Sequence, residues 1–95
     1  MKIMVVCGHG LGTSLMMEMS LKGIVNELNV QADIDHTDLG SAKGTECDLF
    51  VATNDIAEQL KALDVGQPIV ALDNMVDKNM MKERLSSALK DMGVL

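Results

Sequence analysis

The chain contains no tryptophan and no tyrosine, and Phe50 is its one phenylalanine. Domains that bind nucleic acid stack bases on aromatic rings and neutralise phosphates with clustered Lys and Arg. This chain is short of both: 8 Lys and Arg stand against 14 Asp and Glu, for a formal net charge of -6. Nucleic acid is therefore excluded as the main partner. Arginine is the scarcest charge, with Arg84 alone near the far end of the sequence. No hydrophobic run approaches the ~20 residues of a membrane span, which argues against direct membrane insertion. The apolar start at Ile3–Val6 is too short for a secretory signal. The only cysteines, Cys7 and Cys47, lie in dissimilar segments. With no secretory signal in view, a reducing cytoplasm is the expected location and a structural disulfide is not expected. Repeats, linkers and low-complexity stretches are also missing, so residues 1–95 read as a single small domain with one core.

What the chain does have is methionine, nine of them, a residue that suits an adaptable core or contact face. It also has a clear alternation of segments. Ile3–Val6 is a short apolar run ending at glycines, as a strand buried on both faces would be. From Leu11 to Leu28, the residues Met17, Leu21, Ile24, Val25 and Leu28 recur at helical spacing. Val30–Ile34 reads as a second strand, with Asp35 and His36 near its end and a polar loop over Thr37–Thr45. Leu49–Ala52 is a third strand. Thr53 or Asn54 then caps a helix that turns Ile56, Ala57 and Leu60 inward. Pro68 opens a fourth strand, Ile69–Leu72, where a missing N–H is tolerable. Asp77 caps a last helix with Met81, Leu85, Ala88, Leu89 and Met92 on its inner face. Strict alternation demands a parallel sheet with right-handed crossovers. The expected fold is thus α/β, a small four-stranded parallel sheet in the order 2-1-3-4 with helices on both faces. The site of such a sheet lies beyond the strand carboxyl ends, at the switch in strand order.

The segment at that position is Cys7-Gly8-His9-Gly10-Leu11-Gly12-Thr13-Ser14. Backbone N–H groups of a glycine-rich turn entering a helix converge on an anion. The same surroundings favour a thiolate. Cys7 is therefore the candidate nucleophile, and Gly8, His9, Gly10, Leu11, Gly12, Thr13 and Ser14 are the candidate phosphate-binding residues. The glycine spacing misses the dinucleotide fingerprint by one residue, and 95 residues hold about half of such a sheet. No Gly-Lys-Ser/Thr is present for a nucleotide phosphate loop. Neither a cofactor nor a metal is called for. Cysteine phosphatases and arsenate reductases use a similar loop with arginine at its sixth position, where a planar fork meets the transferring phosphoryl group. Thr13 stands there instead. The loop can hold a phosphoryl group without the side chain best suited to driving its hydrolysis, which suits a carrier. A phosphatase or arsenate reductase, and a non-catalytic regulatory module, are the alternatives.

Cys7 through Met16 resembles the active-site loop of enzyme IIB of the bacterial sugar phosphotransferase system. The likeness, closest to the ascorbate/galactitol branch, extends over the short chain, its four strands and Asp73-Asn74-Met75. It implies a Rossmann-like fold and a phosphotransferase in which the cysteine accepts a phosphoryl group from a histidine of enzyme IIA. The group then passes to a sugar or sugar acid, ascorbate-like or galactitol-like, held by membrane enzyme IIC. His9 stands where ascorbate-type members commonly carry Asn. It is either a solvated loop residue or a source of positive charge beside the phosphoryl group, and Thr13 and Ser14 are either first-turn residues or ligands.

Four further features need weighing. Cys47 precedes an apolar strand without a glycine turn and reads as structural. His36 with Asp35 and Asp38 could suggest a metal site, but a hydrogen-bonded strand-end residue is the better reading. Asp73 and Asn74 either cap a turn or border the site. Finally, Leu11, Leu15 and Met19 recur every fourth residue, roughly opposite the inward stripe of their helix. A second apolar stripe beside the loop exceeds what one buried face requires, and is expected to be a docking surface for the partner proteins.

Overall fold

In a computed structural model the residues described are 1–7, 11–73 and 77–95, those at 7 and 11–14 by their backbone. The elements alternate as β1 (Lys2–Cys7), α1 (Leu11–Glu27), β2 (Asp33–Asp38), α2 (Leu39–Ala42), β3 (Leu49–Thr53), α3 (Asn54–Ala62), β4 (Ile69–Leu72) and α4 (Lys78–Asp91). The four strands form one sheet in the order β2-β1-β3-β4, and every pairing is parallel. The expected strand order and the alternation of elements are both realised.

Where one core was expected, the buried residues form two clusters, one on each face of the sheet, because side chains of the central strands alternate with period 2. Ile3 and Val5 of β1, with Leu49 and Val51 of β3, face α1 and α4 and meet Met17, Leu21, Leu85 and Leu89. Met4 and Val6, with Phe50 and Ala52, face the other way, onto Ala42 of α2 and Ile56 and Leu60 of α3. Helices thus cover both faces. The inward stripes read from the sequence are buried at Met17, Leu21, Ile24 and Val25, at Ile56, Ala57 and Leu60, and at Met81, Leu85 and Leu89. Leu28, Ala88 and Met92 are partly buried against the first core.

The helix ends follow local chemistry. Asp77 caps α4 by accepting from the Met80 N–H at 3.0 Å, satisfying one of the free donors of the first turn. Thr53 occupies the N-cap position of α3, although its hydroxyl donates to Asp55 instead. No helix among the described residues is long and apolar enough to cross a membrane.

The second strand departs from expectation: it runs over Asp33–Asp38 rather than Val30–Ile34. Val30 is consumed in ending α1. Asn29 adopts φ 56° and the Val30 N–H returns to the Val25 carbonyl at 2.9 Å, closing the helix with an αL residue. The strand then starts three residues later, where pairing with β1 aligns Lys2 with Asp33 and Cys7 with Asp38. As an edge strand it tolerates the polar sequence Asp-Ile-Asp-His-Thr-Asp, burying only Ile34 fully. The polar loop after it also contains structure, the single turn α2, capped where Asp38 Oδ1 accepts from the Ser41 N–H at 2.7 Å.

Candidate functional site

Parallel pairing brings four strand carboxyl ends to one edge. Cys7 is the last residue of β1 and pairs with Asp38, the last of β2. On the other side Val5 pairs with Val51, so the register continued by two residues sets Cys7 level with Thr53 at the end of β3. Thr53 in turn pairs with Leu72 at the end of β4. β1 is central, with β2 reached through α1 on one face and β3 through α2 on the other. Cys7 therefore ends the strand at the switch point, where a parallel sheet opens a crevice for ligands. The backbone of α1 begins at Leu11, so that a helix N-terminus faces the same edge.

The Cys7 side chain, the loop Gly8, His9 and Gly10, and the side chains of Leu11, Gly12, Thr13 and Ser14 lie outside the described residues. So does Asn74. The surroundings are described. Beyond the ends of β3 and β4, the Asn54 side-chain amide donates to Asp73 Oδ1. Arg84 Nη2 donates to Asp73 Oδ2 at 2.9 Å and Nη1 to the Ala71 carbonyl at 2.6 Å. Asp73 thus ties two strand ends to α4 and borders the carboxyl edge. The sole arginine, remote in sequence, reaches this edge with both terminal nitrogens engaged.

The hydrogen bond from Asn54 and the guanidinium of Arg84 hold the Asp73 carboxyl below the usual carboxylate range. A pKa lowered in the folded state stabilises the fold above the ordinary carboxylate pKa. That contribution disappears as pH falls through the lowered value. Asp73→Asn should accordingly melt below wild type at neutral pH, and the gap should close as the solution is acidified through the carboxylate range. Thermal melts of both proteins across that range check it; a gap independent of pH would show that the charge contributes nothing.

Of the proposed docking stripe, Leu15 is 48% exposed and Met19 72%. Neither belongs to the core. Met16, at 54%, widens the patch and was missed in the sequence because it breaks the every-fourth-residue spacing; its place next to Leu15 was the available signal. Cys47 is half-buried, and burial pushes its thiol up in pKa, the reverse of activation.

The trio Asp35, His36 and Asp38 does not act together, because Asp38 is spent on capping α2. Glu18 of α1 takes its place: Glu18 Oε2 lies 3.1 Å from His36 Nδ1, and Asp35 Oδ1 lies 3.8 Å from the same nitrogen. The donor atoms of the three lie within 4.8 Å of one another. His36 is a hydrogen-bonded strand residue, as its spacing suggested, with a partner that the sequence did not reveal.

Sheet order and a cysteine at the switch point define a class: small parallel α/β domains with a crevice at the carboxyl edge. Within that class, the chain belongs to the phosphotransferase-system (PTS) lactose/cellobiose-specific IIB subunit family, whose model matches residues 2–87. It is 28% identical over 89 residues to an ascorbate-specific PTS EIIB component of Mycoplasma pneumoniae, covering 92% of this chain and 93% of that protein. Its fold is similar to the lactose-specific IIB component domain from Streptococcus pneumoniae, with a TM-score of 0.67, 20% identity and 95% of each chain covered. IIB components are phosphotransferases of sugar transport that work with IIA and IIC partners, and this chain is such a component.

Proposed function

We propose that Cys7 is the phosphoryl carrier: it accepts the group from a phosphohistidine of enzyme IIA and passes it to a sugar or sugar acid held by membrane enzyme IIC. The observation that carries this reading is the placement of Cys7 at the end of the central strand, level with three other strand ends and followed by a helix N-terminus. The thiolate attacks the phosphorus of phosphohistidine, the imidazole leaves, and sulfur holds the group until a sugar hydroxyl displaces it. Amides of Gly8–Ser14 and the hydroxyls of Thr13 and Ser14 hold the phosphoryl oxygens, so positioning and electrostatics carry the catalysis. Arg84 is bound to Asp73 and the Ala71 carbonyl. A loop without its own arginine favours transfer over hydrolysis. The work is cytoplasmic, with IIA and IIC as partners.

For the acceptor, the reading is a sugar or sugar acid of the ascorbate or galactitol type. It rests on the resemblance of the cysteine loop and on the likeness to the ascorbate-specific relative over nearly the whole chain. Membranes containing the cognate IIC, supplied with IIA and the general transfer proteins, should phosphorylate ascorbate or galactitol in preference to lactose and cellobiose. Preferential phosphorylation of lactose or cellobiose would place the chain in the other branch. Wild-type protein that hydrolysed a generic phosphoester at a comparable rate would instead favour a phosphatase.

A further inference from the structure

Glu18 is the one charged residue among the described residues that is buried, at 8% exposure. A carboxylate removed from water persists only if it is paired. Its partners are His36 Nδ1 at 3.1 Å and Lys22 Nζ at 3.7 Å. Lys22 is mostly exposed, whereas the His36 ring is two-thirds covered. His36 is therefore the partner inside the fold.

Placement gives the contact its meaning. Glu18 lies seven residues after Leu11, where α1 begins, roughly 10 Å down the helix axis. His36 on β2 pairs with Val5, two residues before the pairing of Cys7 with Asp38, roughly 7 Å along the strand. Thus the pair spans from α1 to the edge strand, below the carboxyl edge at which β1 ends and α1 begins. Toward the sheet α1 packs mainly through Met17, Leu21, Ile24 and Val25, and its other ion pair to a different element, Glu27 with Lys82 at 3.1 Å, joins its far end to α4. Apolar packing resists separation but is not directional, whereas a hydrogen bond fixes distance and angle. The exposed Leu15, Met16 and Met19 sit within three residues of Glu18. Any axial slip or roll of α1 would move both the start of the helix at Leu11 and this face.

We infer that the Glu18–His36 hydrogen bond is a positioning element for phosphoryl transfer: it sets the height and rotation of α1 on the sheet, and through α1 the geometry around Cys7. This inference rests on the proposed role of Cys7. Misplacement of a reacting group by ~1 Å can cost about a hundredfold in rate, so the pair should govern the transfer step more than donor binding.

The test uses the full chain in four forms: Glu18→Met, His36→Leu, the double variant and Glu18→Gln. Single-turnover transfer from phosphorylated IIA gives the maximal rate and the half-saturating donor concentration. The alkylation rate of Cys7 by iodoacetamide, in a Cys47→Ser background, reports on the loop without any partner. Glu18→Met should lower the maximal rate at least tenfold with a less than twofold change in half-saturation, and should alter the alkylation rate. The double variant should be no slower than the slower single one, because both remove the same bond. Glu18→Gln, which keeps a hydrogen-bonding oxygen, should restore most of the rate, and His36→Leu, which removes the same bond and should slow transfer at least tenfold, decides the matter should Glu18→Met fail to fold. A Glu18→Met rate within twofold of wild type, additive losses in the double variant, or a Glu18→Gln protein as slow as Glu18→Met would each overturn the inference. Absence of phosphoryl transfer to the wild-type protein would count against the carrier role of Cys7 instead, and the alkylation rates would still decide whether the pair positions the loop.

Discussion

Cys7→Ser will abolish acceptance of a phosphoryl group from enzyme IIA, and Cys47→Ser will leave it within about twofold of wild type. The two thiols differ in every respect that matters to a nucleophile. Cys7 ends the central strand at the carboxyl edge, with the backbone of α1 starting four residues later. A thiolate there gains from the helix terminus and from the amides of a glycine-rich turn. Cys47 lies before β3 at the opposite edge, half-buried, and burial disfavours its thiolate. Serine at position 7 keeps the size of the side chain, but its alkoxide is inaccessible near neutral pH. Loss of at least a thousandfold, or ~4 kcal/mol of transition-state stabilisation, is expected by quench-flow transfer assays. The two circular dichroism melts should stay close to wild type.

The second large effect concerns docking. Leu15→Asp combined with Met19→Asp will slow transfer from IIA at least tenfold, ~1.4 kcal/mol, with little change in melting temperature. An apolar patch beside a reaction centre that must approach a partner's histidine is buried on contact, and a carboxylate placed there opposes that burial. Because both side chains are exposed, stability should change by no more than ~0.5 kcal/mol per site. Were they core residues, the same changes would cost several kcal/mol. A carboxylate could also act by repelling the incoming phosphoryl group. Leu15→Gln with Met19→Gln separates the two causes, since it removes apolar contact without adding charge and should retain most of the slowing. A large fall in melting temperature, or transfer at the wild-type rate, would remove this face from the docking surface.

Most of the fold could be read from the sequence because its signals were local. The central strands β1 and β3 are continuous apolar runs, as strands covered on both faces must be. Pro68 and Asp77 punctuate the start of β4 and of α4. β2 was displaced by three residues because its cues compete. Val30 looks like a strand residue but closes α1 through Asn29, and the true strand is a polar edge strand that owes its position to hydrogen bonds with β1. The turn α2 is four residues long and depends on the Asp38 cap, too short to leave a periodic pattern.

The candidate nucleophile and loop could be named from the sequence because they are contiguous, whereas the residues around them could not. Glu18 followed by Lys22 reads as an ordinary exposed i,i+4 pair. The signal against that was its position: Glu18 precedes the buried Leu21 by three residues and Val25 by seven, placing it at the margin of the inward stripe. Arg84 likewise follows the buried Met81 by three and precedes Leu85 by one, which directs it toward the sheet rather than to solvent. Its bond to Asp73 closes a gap of eleven residues, a contact made by the fold and invisible to spacing. Both cases show a charged residue at a core-facing position, where a partner across the fold is to be expected.

The decisive observation is where the phosphoryl group rests on the unaltered protein. Wild-type chain incubated with phosphoenolpyruvate, the general transfer proteins and cognate IIA, then digested without acid and examined by fragmentation mass spectrometry, should carry one phosphoryl group, on the Cys7 peptide and bonded to sulfur. A phosphoryl group found on His9, His36 or Cys47, or a chain that stays unmodified beside fully phosphorylated IIA, would show that Cys7 is not the carrier.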